Sequence, residues 1–474
     1  MSTSRARRSY AGRSTAAGIT THAVIVAVFA ALLVAGCAKK SSVVEPPPVV
    51  PGALRVEGNR VLWSTDRAAR ATVRYSYTSG SWDHDAYPRA ANREDRAAVR
   101  DHDVPLLDLR PGETLYYQAV SEVPGQPAVY SPVQSFTPSA ASSRPLLTST
   151  MIHIGFGDSH LLTMPNTRKR FLIDSGGRFA DQSVITYLQQ HNVTALDAML
   201  ATHVHEDHLG GVVGSSAPGA GGVLGAFPPA VFFDSSVKST DSTGKPAYVE
   251  LLSSLSPSTQ RVMLSRGQSS GNTPELRLDP DVVIYVLNSG VPPGYQPVGY
   301  EGTNINNESI VLRFTYGDVD FIIGGDCENE AEAIIQAGFP PASLEVEFFK
   351  ATHHGLPDAN GASWVNILRP RIGFIPNTQA VWDPPQDFEG AIGSTVAKLQ
   401  GIGAHVYVID DARTLDRPRG SGRQYNVSFV TDGISYEVRV EQATQPTPSL
   451  TAQESGCIAS DTAAHAHAPA TGGH

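Results

Sequence analysis

Thr202-His203-Val204-His205-Glu206-Asp207-His208-Leu209-Gly210-Gly211 decides how this chain is read. It follows Ala198–Ala201, an apolar run that reads as a buried strand. Extended residues two apart face one side, so His203 and His205 can converge on one ion. A turn into a helix at Leu209 would swing Asp207 and His208 toward a second ion close by. Neutral imidazoles with a carboxylate suit zinc, and further oxygen ligands would suit manganese. The two glycines let the helix start pack close to this loop. Three histidines and an aspartate in six residues are hard to satisfy as ordinary core side chains, so metal binding is expected.

Working outward, residues 145–442 alternate between β and α patterns. Strands are expected at Met151–Ile154, Arg170–Ile173, Ala230–Phe233, Val282–Leu287, Val346–Lys350, Ile372–Ile375, Val406–Ile409, Tyr425–Val430 and Ser435–Val440. Ser309–Phe314 and Asp320–Ile323 flank a hairpin turn at Tyr316-Gly317-Asp318. Helices are expected over Gln182–Gln190 and Glu328–Gln336, with another beginning at Ser394–Leu399. Interleaved strands and helices imply two packed sheets with helices outside, or a doubly wound sheet.

The His-x-His-x-Asp-His run resembles the hallmark of the metallo-β-lactamase superfamily. Three further stretches extend that likeness: Ile173-Asp174-Ser175-Gly176-Gly177, Gly324-Gly325-Asp326 and Thr352-His353-His354-Gly355. The resemblance implies an α+β fold of two packed β-sheets with outer helices (αββα). It also implies a supporting role for Asp174, a bridging role for Asp326 and a metal-ligand role for His353. More narrowly, His153–Ser159, Asn307–Leu312 and Lys350–Gly355 look like the hydrolase domain of ComEC-type DNA-uptake proteins and their free-standing relatives. The membrane channel of such proteins has no counterpart in this sequence. The expected ligands of two divalent ions are therefore His203, His205, Asp207, His208, Asp326 and His353. Zinc is the first choice and manganese the second.

One departure matters. Many superfamily members place another histidine between the first cluster and the bridging aspartate. This sequence has none between His208 and His353. Asn304–Ser309 occupies that slot, where Asn307 could donate an oxygen, orient water or simply sit in a turn. Asp158 could position substrate or form an Asx-turn. Lys350 could neutralise a phosphate oxygen or be a solvated lysine at a strand end. His354 could be a ligand, an acid/base group or a phosphate donor, with His353 the preferred ligand of the two. Cys327 reads as a small core residue. His153, His160, His191 and His405 read as structural or surface side chains.

The N-terminus reads as an address. Arg5, Arg7, Arg8 and Arg13 precede an apolar run, Ala23–Val34, too short to span a bilayer and suited to a signal peptide. Leu33-Val34-Ala35-Gly36-Cys37 resembles a bacterial lipobox, which would make Cys37 the lipidated first residue. Arg7-Arg8-Ser9-Tyr10 weakly resembles a twin-arginine signal, so the export route stays open. On this reading residues 1–36 are a lipoprotein signal peptide and 37–52 a Pro-rich tether. Removing four arginines from a net charge of −10 leaves −14, which disfavours non-specific binding to nucleic acid or anionic lipid through a basic surface. Bound metal ions would still admit a phosphate substrate. Three cysteines, Cys37, Cys327 and Cys457, give no disulfide framework.

Residues 53–138 show short apolar segments between turn signals, which suits a small β-sandwich with Trp63 between its sheets. Leu109–Tyr116 resembles the turn entering strand F of fibronectin type III domains, which implies an immunoglobulin-like spacer or interaction module. There a tyrosine hydroxyl bonds back to the backbone. Residues 443–474 are Thr/Ala/Pro/Gly-rich and are expected to be disordered.

Function follows from the expected metals. Two ions would lower the pKa of a shared water and polarise the scissile group, with Asp207, Asp326 and His354 as the catalytic side chains. The resemblance points to an exported, lipid-anchored hydrolase of phosphodiesters such as nucleic acid or nucleotides. The alternatives are a lactone, β-lactam or other acyl-ester hydrolase, and a non-catalytic surface binding protein.

Overall fold

The computed structural model describes residues 49–214, 221–235, 246–290, 305–378, 386–410 and 424–445. Cys37, Cys457 and the signal and tail segments lie outside them.

The N-terminal strands are β1 (Arg55–Glu57), β2 (Arg60–Ser76), β3 (His84–Ala86), β4 (Val99–Pro105), β5 (Leu115–Glu122), β6 (Val129–Tyr130) and β7 (Gln134–Phe136). The apolar segments Val61–Ser64 and Ala71–Ser76 lie in the two halves of one long strand, β2. No Gly or Pro interrupts the chain between them. The first half pairs with β1 and β4, the second with β3 and β5, and the register shifts between Ser64 and Ala69. Trp63 is buried with Val61, Tyr75, Val104, Leu115 and Tyr117, and its indole N–H donates to Ser121 Oγ at 3.1 Å. The hydroxyl at the Leu109–Tyr116 turn is that of Tyr77. It accepts from the Arg110 N–H at 2.7 Å and donates to the Asp108 carbonyl at 2.8 Å.

The larger part of the chain follows with β8 (Leu147–Met151), β9 (His160–Thr163), β10 (Arg170–Ile173), α1 (Asp181–Gln190), β11 (Ala198–Leu200), α2 (Glu206–Val213) and α3 (Gly222–Ala226). Next come β12 (Val231–Ser235), α4 (Pro246–Ser254), β13 (Gln260–Leu264), β14 (Val282–Asn288), β15 (Val311–Tyr316) and β16 (Val319–Gly324). The rest are α5 (Asn329–Gly338), β17 (Phe348–Lys350), α6 (Ala362–Leu368), β18 (Ile372–Ile375), α7 (Gln386–Gly401), β19 (His405–Val408), β20 (Tyr425–Thr431) and β21 (Tyr436–Gln442).

These strands make two sheets. One runs β13-β12-β11-β10-β9-β8-β20-β21, the other β14-β15-β16-β17-β18-β19. Strand alternation assigns the layers. Phe171 and Ile173 of β10 meet Ile284, Phe314, Phe321 and Phe348 of the other sheet in the central core. Leu172, between them, faces outward into a cluster with Val184 and Leu188 of α1 and Leu209 of α2. On the far side Ile322 and Phe349 pack with Ala331, Trp364 and Leu399 from α5, α6 and α7. The result is helices, sheet, sheet, helices. Each fully buried Phe or Ile of the central layer contributes roughly 1.5–3 kcal/mol.

The first sheet does not stop at residue 145. β21 pairs with β3, so Val438 lies opposite Asp85 and Arg439 opposite His84. Behind this seam the Tyr87 hydroxyl is 2.7 Å from His405 Nδ1 and 3.0 Å from the Tyr407 hydroxyl, and Arg371 donates to Glu122 at 3.0 Å. Hydrogen bonds thus cross the boundary expected between 53–138 and 145–442.

Candidate metal centre

β10 and β11 end side by side, in parallel, and deliver Asp174 and Thr202 to one edge of the first sheet. β16 and β17 do the same from the second sheet with Asp326 and His353-His354. Asp174 has a left-handed backbone, φ 56°, which turns its carboxylate back under the His loop. It accepts from the Thr202 N–H at 2.8 Å and the Thr202 hydroxyl at 2.7 Å. The close approach of α2 depends on Gly210 and Gly211. A Cβ at Gly211 would run into the Ser175 carbonyl oxygen, and one at Gly210 would lie 2.6 Å from the Arg178 nitrogen.

Four imidazoles surround one carboxylate oxygen. Asp326 Oδ2 lies 3.0 Å from His208 Nε2, 3.2 Å from His354 Nε2 and 3.9 Å from the Nε2 atoms of both His203 and His353. Three of these rings have a second carboxylate at Nδ1: Asp174 on His208 at 2.8 Å, Asp158 on His354 at 3.2 Å and Asp358 on His353 at 2.9 Å. A ring that donates Nδ1–H to a carboxylate, as His208 can to Asp174 and His353 to Asp358, turns its Nε2 lone pair toward Asp326 unless it carries two protons. This is how metal-bound histidines are held, with the outer carboxylate fixing tautomer and orientation. Asp207 Oδ2 is 3.0 Å from His354 Nε2. The His205 ring stands edge-on to His203, with centroids 4.7 Å apart.

The electrostatics agree. His203 is buried, and burial with the neighbouring histidines holds its pKa well below the ordinary value, so the ring is neutral. Its Nε2 is buried without a hydrogen-bond partner. Burial opposes charge on His208, yet Asp326, Asp207 and Asp174 outweigh it and hold that pKa well above ordinary. Asp326 stays ionised despite burial because His208, His354 and His353 face it. A neutral buried nitrogen with nothing to bond, beside carboxylates ringed by imidazoles, fits divalent cations. Asp158, His208, Asp326 and His354 bring ligand atoms within 4.8 Å of one another, and so do Glu328, His353 and Asp358.

No family model matches the chain. Over 241 residues it is 23% identical to ComE operon protein 3 of Bacillus subtilis (strain 168), a match covering 48% of this chain and 27% of that protein. The chain thus spans about a quarter of the length of that relative. Among solved structures, it is similar to a HARLDQ-motif mutant metallo-β-lactamase from Cronobacter sakazakii. That likeness is 15% identical, covers 41% of this chain and 74% of that one, and has a TM-score of 0.25. A Thermotoga maritima protein described as a metallo-β-lactamase is 17% identical, with coverages of 38% and 79% and a TM-score of 0.25. The four layers, with Asp174, the His loop, Asp326 and His353-His354 gathered at the sheet ends, decide the fold. It is of the metallo-β-lactamase type.

Within this metallo-β-lactamase-like core the lesser candidates separate. Asn307 is engaged on the start of α5. Its Oδ1 accepts from the N–H groups of Glu328 at 3.0 Å and Ala331 at 3.3 Å, which caps α5 and anchors the loop after Asp326. Asn306 is the asparagine that reaches the cluster: its Nδ2 donates to Glu328 at 2.8 Å and lies 3.5 Å from His353 Nε2. Lys350 is not solvated. It is fully buried, ion-paired with Asp158, and donates to the carbonyls of Gly324 at 3.0 Å and Gly325 at 3.2 Å. Its three donors are used, so it clamps the turn before Asp326 to the other sheet's Asp158. Cys327 is free and buried, and burial with nearby carboxylates raises its pKa well above ordinary, which suits a core residue.

Sequence reasoning missed Asn306, Glu328, Asp358 and Phe156, whose ring tilts against His354 at 4.6 Å. Asp358 carries no motif. Only its return to His353 after the left-handed turn at His353 and His354 gives it a role.

Proposed function

We propose that the chain is a metal-dependent hydrolase of phosphodiesters, either nucleic acid or a nucleotide. Three carboxylate-backed histidines turned toward Asp326 are the observation that carries the metal dependence. His203, His205, Asp207, His208, Asp326, His353 and His354 would hold two divalent ions, zinc by the histidine content and manganese as the alternative. When bound, such ions polarise the scissile group and acidify water enough for attack near neutral pH. The chain's own side chains supply the rest. Asp207 and Asp326 accept hydrogen bonds from the attacking water and aim it. His354, with Nδ1 3.2 Å from Asp158, presents Nε2 beside Asp207 and Asp326 as one of the ligand atoms. The phosphodiester class follows from the sequence resemblance to ComEC-type hydrolase domains.

The decisive experiment is elemental analysis of the purified chain with a turnover panel of a phosphodiester, a lactone and a β-lactam. Metal with phosphodiester turnover supports the reading. Turnover of the acyl substrates alone replaces it, and metal without any turnover leaves a binding protein.

We also read Cys37 as lipidated after export and residues 53–138 as a fibronectin type III-like module. Among the described residues no helix is long and apolar enough to cross a membrane. Cys37→Ser should leave an unprocessed precursor that no longer enters the detergent phase. Equal partitioning of variant and wild type would exclude the anchor.

A further inference from the structure

A cavity of about 1240 Å³ lies on the outer face of the first sheet, between the turn at 80–84 and the end of α1. Pockets for small ligands run about 300–1,000 Å³, so this one has room for an extended ligand. Its floor carries hydroxyls: Thr150 Oγ1 and Ser428 Oγ meet at 2.8 Å. Trp82 forms part of its wall, and the Arg74 guanidinium stacks 4.5 Å from that ring's centroid.

The charges in this cleft are unevenly matched. Each of its acids already has a partner. Asp83 and Asp108 bind His84 at 2.7 and 3.1 Å, Asp108 also binds Arg110 at 2.9 Å, and Glu441 binds His191 at 3.1 Å. Arg439 is bound to Glu437 at 2.7 Å. Arg168 and Arg170 differ. Arg170 donates to the Thr163 hydroxyl, and among the described residues neither arginine has an ion pair. Arg170 is half-buried, and Arg168 is held with φ 60° at the turn between β9 and β10. Burial first, then the like charge of Arg168, lowers the pKa of Arg170. Two neighbouring guanidinium groups, one partly desolvated, are an unfavourable arrangement that an anion would relieve. They sit on a chain whose net charge is −10.

We propose that this cleft is a binding track for single-stranded nucleic acid, with phosphates on Arg168 and Arg170 and a base against Trp82. The choice of ligand rests on the phosphodiesterase reading, and the track deepens it. Guanidinium groups beside an aromatic wall are the combination that holds single strands without reading their sequence. The cleft and the metal centre occupy opposite ends of β10. Arg170 opens that strand and Asp174 follows it, roughly 13 Å along the backbone at about 3.3 Å per residue. A strand held in the cleft therefore lies beyond the reach of a small substrate at the centre.

The test uses the full chain in chelator, so that no strand is cut, and a short labelled oligothymidylate. Arg168→Gln/Arg170→Gln should weaken binding at least tenfold and lower the slope of log affinity against log salt by about 1.4, the value for two single-strand phosphate contacts. Arg168→Lys/Arg170→Lys should keep most of the affinity, and Trp82→Ala should lose several-fold. Turnover of bis-p-nitrophenyl phosphate by the metal-loaded chain should be unchanged in all three, with wild-type unfolding midpoints as the check on folding. No binding by wild type, or equal binding by the glutamine variant, would overturn the proposal. So would an acidic glycan that competes equally while Trp82→Ala has no effect. If wild type binds the strand through these arginines yet hydrolyses no phosphodiester, the catalytic reading fails and the track stands.

Discussion

Asp326 Oδ2, just after β16, and His208 Nε2, in α2 beside the first sheet, face each other across 3.0 Å, both buried. The contact joins the two halves of the core as well as the two halves of the centre. Removing one member of a buried charged pair costs about 3–5 kcal/mol, because the other is left uncompensated. Asp326→Asn keeps the shape and removes the charge. The metal-free variant should lose about 3 kcal/mol in urea unfolding, and elemental analysis should find it largely empty of metal. Wild-type metal content would remove Asp326 from the centre.

His353 and His354 have the same arrangement, a carboxylate at Nδ1 and Asp326 before Nε2. Sequence reasoning preferred His353 alone as ligand. The geometry leads to the expectation that His353→Gln and His354→Gln each weaken metal binding, read by titration against a competing chelator. Asp158→Asn, which removes the carboxylate beside His354 Nδ1 as well as the partner of Lys350, should weaken it 10- to 100-fold. Unchanged affinity in His354→Gln would confine that ring to contact with substrate.

The sequence was most informative where one residue type does one job. Arg170–Ile173 and Ile372–Ile375 are strands with those bounds, because apolar runs between breakers leave little choice. His160–Thr163 and Gln260–Leu264 were missed. The first is short and reads as part of a loop, and the second is a polar edge strand whose exposed Met263 gives no clear alternation. At the centre, residue type and spacing made the His loop and Asp326 legible. The partners Glu328, Asp358 and Asn306 were not, because long-range folding alone brings them to His353.

Lys350 and Asp158 form a wholly buried ion pair between the two sheets. Lys350→Met should destabilise the metal-free chain by about 3–5 kcal/mol, since it strands Asp158. Lys350→Met/Asp158→Asn should recover most of that loss. The double-mutant cycle in urea measures the coupling. Additive losses would mean that Lys350 acts only through the Gly324 and Gly325 carbonyls.

Glu347 is buried beside Arg96, at 3.0 Å, and burial followed by the nearby Asp95 pushes its pKa up to about 7 from 4.5. A carboxyl raised on folding stabilises fully below its unfolded pKa, and that contribution is lost as pH rises through the folded value. Between about pH 4.5 and 7 the group should therefore cost wild type up to about 1.4 kcal/mol per pH unit, on the order of 3 kcal/mol in all. Glu347→Gln cannot titrate, so its stability should be flatter over that window. Glu332, also raised to about 7 by burial, keeps part of the slope. The measurement is urea unfolding at stepped pH in chelator, and parallel curves for variant and wild type would mean that Glu347 ionises normally.

The seam between β3 and β21 bears on whether the metallo-β-lactamase-like core can stand alone. A fragment of residues 145–442 would lose the β3 partner of β21 and expose that edge, which invites pairing with other chains. It would also leave buried groups without partners. Arg371 and His405 would lose Glu122, and Tyr407 would lose Tyr87 and Asp85. Each unsatisfied buried group costs about 1–3 kcal/mol, and a charged one more, so together they reach the stability of a whole domain. The fragment should therefore aggregate or unfold, while residues 49–445 should be soluble and cooperative. Adding residues 49–138 as a separate chain should restore part of the soluble yield, because the seam is built of hydrogen bonds that need no covalent link. Size-exclusion chromatography with circular dichroism on the three preparations decides the matter. A monomeric, cooperatively folding 145–442 would show that the seam is a docking contact between independent domains.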